Sequence, residues 1–172
     1  MMMKMLIAGG LKPVTDNIRT ADEDNPEGYF VFERVKQLKD DHEWLHDARG
    51  KCVKIVSAFL KHLPQEFNYK IIFMRRNIAE VLASQRQMLV RRGEPVDTIS
   101  DKKMRQSFER HLKDLESWLT AQPNVRLLDI NYTEVITNPV PNIQIVKDFL
   151  QLELDTEQMA GMVNKNLYRN RV

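Results

Sequence analysis

The sequence predicts an α/β fold in three layers, a mostly parallel sheet with helices on both faces. Three compact apolar runs, Cys52–Val56, Ile71–Met74 and Val125–Ile130, are short, partly β-branched and bounded by charges or loops, as buried parallel strands are. Longer segments with apolar residues at helical spacing stand between and after them. Strands that alternate with helices need right-handed crossovers, and these place helices on both sides of the sheet.

Taken in order, Met1–Ala8 is apolar but too short for a membrane span, and it lacks the regions of a signal peptide. It reads as a helix stopped by Gly9-Gly10, the usual residues for a left-handed cap. No N-cap residue and no strand precede it, so the beginning looks cut. Lys12-Pro13-Val14-Thr15 is a short extended piece, followed by an acidic loop at Asp22-Glu23-Asp24. Asn25-Pro26-Glu27-Gly28 carries the residues that a type I turn favours. Phe30–Leu38 reads as a helix through Val31, Val35 and Leu38, and the runs Cys52–Val56 and Ile71–Met74 follow as strands.

Ile78–Arg92 carries Ile78, Val81, Leu82, Met88 and Leu89 on one stripe. Asp101–Thr120 carries Met104, Phe108, Leu112, Leu115, Trp118 and Leu119, and Pro123 closes it before the strand Val125–Ile130. Ile143, Val146, Phe149 and Leu150 mark a further helix, and Met159, Met162 and Val163 a short last one.

With 172 residues, 42% hydrophobic and 29% charged, the chain is expected to fold as a single domain over residues 1–172. The 26 basic residues nearly balance the 24 acidic ones, and a net charge of +2 gives no global field for nucleic acid or an anionic membrane. Any anion site must be local. The lone Cys52 can form neither an internal disulfide nor a cysteine zinc cage, which fits a reducing, cytoplasmic setting. Neither a His/Asp/Glu cluster with metal spacing nor a Gly-x-Ser-x-Gly elbow is present.

The chemistry concentrates at the junction Met74-Arg75-Arg76-Asn77-Ile78-Ala79-Glu80. Asn77 can cap the following helix, with Glu80 completing a capping box. Arg75 and Arg76 stand before the positive end of that helix, where each cation is disfavoured by roughly 0.3–1 kcal/mol unless an anion compensates it. Ligands of open α/β sheets bind outside the carboxyl ends of the strands, which is where these arginines belong. Ser84, seven residues after Asn77, shares its helix face. The plainer account pairs Arg76 with Glu80 and Arg75 with Asp22–Asp24, leaving Ser84 as a small packed residue.

A strand, then Arg76-Asn77, then Ser84 on the next helix resembles the motif with which sulfotransferases hold the 3′-phosphate of 3′-phosphoadenosine 5′-phosphosulfate. The family usually has Pro after Arg-Asn, where this chain has Ile78. Asn25-Pro26-Glu27-Gly28-Tyr29-Phe30, Tyr132-Thr133-Glu134 with Asn138-Pro139, and Leu167-Tyr168-Arg169-Asn170-Arg171 are also similar to segments of bacterial sulfotransferase-like proteins. The resemblance implies a fold of the P-loop NTPase kind, Arg76 and Ser84 on the phosphate with Arg75 and Asn77 beside them, and no metal.

Family members begin with a strand and a Gly-rich loop that holds the 5′-phosphosulfate. No such loop occurs here, so an N-terminally incomplete domain is expected, with an exposed apolar edge that a homo-oligomer could cover. For the general base, Lys61-His62-Leu63-Pro64 resembles the family's Lys-Thr-His-Leu-Pro segment and nominates His62, although Lys54 is an alternative match for the lysine. Glu33 is the other nominee. Arg86, Arg91, Arg92 and Arg105 either line a path for an acidic acceptor or form a solvated face. The acceptor would be a small molecule or a saccharide, with neither nucleic acid nor a membrane as partner. Two alternatives stay open: a non-catalytic remnant serving as an interaction module, and a nucleotide kinase of the same superfold, which would need magnesium.

Overall fold

The computed structural model describes residues 1–16, 18, 21, 28–96 and 100–164. Its helices are α1 (Met2–Ala8), α2 (Trp44–Asp47), α3 (Ile78–Arg91), α4 (Asp101–Thr120), α5 (Tyr132–Thr137), α6 (Pro139–Leu150) and α7 (Thr156–Gly161), with 3-10 turns at Glu33–Gln37 and Ser57–His62. Among the described residues the sheet has two strands, β1 (Tyr69–Arg75) and β2 (Val125–Asn131), paired in parallel from Tyr69 opposite Val125 to Arg75 opposite Asn131. The parallel sheet and its long connecting helices are as the sequence predicts.

Alternation along the strands divides the interior in two. Ile72, Met74, Leu128 and Ile130 face a core built from α1, α5, α6 and α7, where Met5, Val135, Ile143, Val146 and Met159 are fully buried. Tyr69, Ile71, Phe73, Val125 and Leu127 face the other core, built from α4, α2 and the two 3-10 turns around Leu38, Trp44, Leu60 and Leu115. No helix among the described residues is long and apolar enough to cross a membrane.

The expected strand Cys52–Val56 does not form. One parallel bridge joins Pro13 to Cys52, made by Val14 N–H to the Cys52 carbonyl at 2.8 Å and Cys52 N–H to the Lys12 carbonyl at 2.9 Å. The next rung would need the Asp16 N–H, which turns instead to the Val31 carbonyl at 3.4 Å, while the Lys54 side chain donates to the Tyr29 carbonyl at 2.9 Å and Val56 is 56% exposed. A single rung is what remains.

The expected helix Phe30–Leu38 shrinks to the 3-10 turn at Glu33–Gln37. Phe30 has φ of 49°, a left-handed value that a bulky residue rarely adopts and that no α-helix contains. The turn begins instead where the Asp16 carboxylate accepts the Glu33 N–H at 2.6 Å. That bond first, and the Ile18 N–H next, hold the Asp16 carboxyl below the usual carboxylate range.

At the end of α1 the left-handed residue is Gly10, at φ 106°, whereas Gly9 keeps right-handed helical angles. The turn foreseen at Asn25–Gly28, apart from Gly28 itself, and the acidic run Asp22–Asp24 lie outside the described residues, as does Leu167–Arg171. The long stripes are present, but they are buried unevenly. In α4 only Leu115 and Leu119 are buried, and in α3 none of Ile78, Val81, Leu82, Met88 or Leu89 is; its buried residue is Glu80.

Candidate functional site at two adjoining strand-to-helix corners

Both strands end in the same way. Past β1, the Asn77 side chain accepts the Ala79 N–H at 2.9 Å and starts α3; past β2, the Asn131 side chain accepts the N–H groups of Thr133 and Glu134 at 2.8 and 3.2 Å and starts α5. Asparagine suits both positions because its short side chain reaches an N–H that the first helical turn leaves unbonded. Parallel register sets the corners side by side, since Arg75 is paired with Asn131.

Arg76 lies where the corners meet. Its Nε donates to Glu80 Oε2 at 3.1 Å, and its guanidinium carbon sits 5.0 Å from the centroid of the Tyr132 ring, the first residue of α5. The Arg76 side chain is 24% exposed and that of Glu80 4%. The cation therefore works in a partly dry setting, held on one side by a carboxylate and on another by an aromatic face.

Ser84, half-buried, follows Glu80 by one helical turn on the same face. Asn77, Glu80 and Ser84 thus form one row, with the Arg76 anchor in its middle. The structure brings Arg76 onto Glu80 rather than onto Ser84, the plainer of the two sequence readings for this pair.

Arg75 points elsewhere. Its Nε bonds Asp129 at 2.5 Å, its Nη2 bonds Glu116 at 2.6 Å, and its guanidinium carbon is 4.4 Å from the Phe73 ring centroid. Burial works against the charge, but the Asp129 bond, with Asp129 and Glu116 as neighbouring charges, leaves the Arg75 pKa raised. These partners lie on β2 and α4, so Arg75 ties the strand end to the helix layer of the second core. Asn77 likewise spends its side-chain oxygen on the helix cap.

The two nominees for a base lie apart from this row. Glu33 opens the first 3-10 turn and is ion-paired with Lys36. His62 closes the second 3-10 turn, half-buried. Among the described residues neither bonds to Arg76, Glu80 or Ser84.

The arginine series separates. Arg86 and Arg105 join Lys102, Asp101, Ala79, Leu82 and Ala83 along a groove between α3 and the start of α4, while Arg91 and Arg92 end α3. At about 100° per residue the α3 residues of that groove lie off the Glu80 and Ser84 face, around the helix from it. Among the described residues no group of three or more His, Cys, Asp or Glu side chains is placed to hold a metal ion.

Sequence reasoning did not foresee Tyr132 beneath Arg76, nor the contact of Ser57 Oγ with His111 Nε2 at 3.0 Å that pins the second 3-10 turn to α4. Both pairs are more than fifty residues apart in sequence, and no periodicity links them. The Arg76–Glu80 pair, four residues apart, was legible.

A family model for the sulfotransferase family matches residues 15–156, a span that takes in both corners. No curated protein and no solved structure matches the chain.

Proposed function

Because this chain belongs to the sulfotransferase family, we propose that it serves the transfer of a sulfuryl group from 3′-phosphoadenosine 5′-phosphosulfate to an acceptor hydroxyl or amine, with the corner at Arg76 receiving the donor's 3′-phosphate. The reading rests on one observation. A partly buried arginine at the carboxyl end of a parallel strand is hydrogen-bonded, among the described residues, through its Nε, which leaves two terminal nitrogens for an anion. Such a fork matches two oxygens of a phosphate, and the half-buried Ser84 hydroxyl one turn past Glu80 offers a further donor to the same group.

The donor supplies an activated sulfur, and this chain's residues bind, orient and move a proton. In the transfer the acceptor atom bonds to sulfur as the bond from sulfur to the bridging phosphate oxygen breaks, and the acceptor's proton passes to a base, assigned here to Glu33 or His62. Only the 3′-phosphate end of the donor is assigned to residues of this chain. The reading carries with it a three-layer fold of the P-loop NTPase kind, a single domain over residues 1–172, a cytoplasmic setting, a small-molecule or saccharide acceptor and self-association across the sheet edge.

Isothermal titration with adenosine 3′,5′-bisphosphate tests it. Arg76→Ala should weaken binding about 10- to 100-fold, the equivalent of a lost hydrogen-bonded charge, and Ser84→Ala about 3- to 10-fold. Equal affinities for Arg76→Ala and the unmodified chain would refute the ligand role. A second reading also has an observation behind it: the buried Glu80 neutralises Arg76, as a purely structural pair would, in an interaction module without catalysis. That reading predicts no binding at all.

A further inference from the structure

α3 buries a charge where α4 buries hydrocarbon. Of its fourteen residues only Glu80 is buried, at 3% exposure. A carboxylate is a costly side chain to hide, and it persists only when a partner compensates the lost hydration. Arg76 is such a partner, and the atom that makes the bond decides what the pair can do. Nε is the guanidinium donor nearest the side-chain stem, so a bond to it at 3.1 Å fixes the plane of the group without using either terminal nitrogen. The Tyr132 ring at 5.0 Å braces the same group from the neighbouring corner. Stem, Nε bond and ring together restrain a side chain that would otherwise sample many rotamers.

We infer that Glu80 is a positioning residue: it sets the guanidinium plane of Arg76 so that the two terminal nitrogens meet the donor's 3′-phosphate already ordered. The inference rests on the proposed reading of the corner. Ordering in advance raises affinity because the cost of immobilising the side chain is met on folding and not on binding. Glu80 touches no ligand in this scheme and acts only through Arg76.

A double-mutant cycle with adenosine 3′,5′-bisphosphate, read by isothermal titration, tests this. Glu80→Ala should bind about tenfold more weakly than the unmodified chain, within the range over which contacting residues couple. Glu80→Gln keeps an oxygen for Nε and should stay within about threefold, a rescue that shows geometry and not charge to be the requirement. In the Arg76→Ala background, adding Glu80→Ala should change nothing further. An unchanged affinity in Glu80→Ala, or a loss that persists undiminished without Arg76, would overturn the inference. Where circular dichroism shows Glu80→Ala unfolded, Glu80→Asp takes its place, with the charge kept and the reach shortened by one methylene; it should also lose about tenfold, and equality with the unmodified chain would overturn the inference. No binding by the unmodified chain sinks the proposed function and this inference together. A binding chain, a weakened Arg76→Ala and a flat cycle sink the inference alone.

Discussion

Replacing Arg75 by methionine separates the two neighbouring arginines. The substitution keeps an unbranched stem over Phe73 and removes the cation from Asp129 and Glu116. Those carboxylates are 47% and 51% exposed, so each lost ion pair is worth about 0.2–1 kcal/mol in spite of its short distance. The cation above Phe73 adds about 0.5–1 kcal/mol. The sum is about 1–3 kcal/mol, or roughly 2–12 °C in melting temperature for a domain of this size. Urea denaturation should show that difference at low salt and a smaller one at 1 M NaCl, where charge interactions are screened within a few ångströms. Titration with adenosine 3′,5′-bisphosphate should give an affinity within about twofold of the unmodified chain, because Arg75 is committed to the second core. A variant that keeps full stability yet binds tenfold more weakly would mean that Arg75, and not Arg76, faces the anion, and the assignment of the corner would fall.

Two further outcomes follow from the fold. A methyl group at Gly9 would stand 2.9 Å from Met159 Cγ and Sδ, and Met159 is fully buried, so Gly9→Ala should cost about 1–2 kcal/mol in urea unfolding. The backbone there is ordinary helix, so the clash must outweigh the gain of roughly 0.4–1 kcal/mol that alanine otherwise gives; a stabilised variant would show that Met159 moves aside at no cost. Burial first, and Glu66 next, push the Tyr69 hydroxyl from 10.0 to about 12. A raised value means that the fold prefers the neutral phenol: its share of stability is whole below pH 10 and is lost as pH climbs toward 12. Tyr69→Phe should flatten that alkaline decline, and identical pH profiles for the two proteins would refute the assignment.

The corner was legible from the sequence because its signals are local. Asn77 caps two residues ahead, Glu80 reaches four residues back, and α3 and α4 declare themselves by long apolar stripes. What failed depends on contacts made at a distance. Cys52–Val56 has the composition of a strand, but among the described residues its only rung is with Pro13, some forty residues earlier. Phe30–Leu38 has helical spacing, but Asp16, seventeen residues before Glu33, fixes where its turn begins. α2, α5 and the Ser57–His62 turn are too short for periodicity to show. The fate of Arg75 was missed for the same reason, since Asp129 and Glu116 come from other elements. In α3 the apolar pattern placed the helix correctly and misjudged its inner face, where a carboxylate is buried and leucines are not.

The alternation along β1 and β2 has a mechanical consequence. Among the described residues the two hydrophobic interiors share no helix, and the strand pair contributes side chains to both. Sliding one strand by a single residue would turn every side chain it carries toward the wrong interior, and would carry Arg75 away from Asn131 and Arg76 away from Tyr132 in the same movement. The hydrogen-bonded amides of the strand pair should accordingly be the last to exchange with deuterium, and the two halves of the molecule should melt as one.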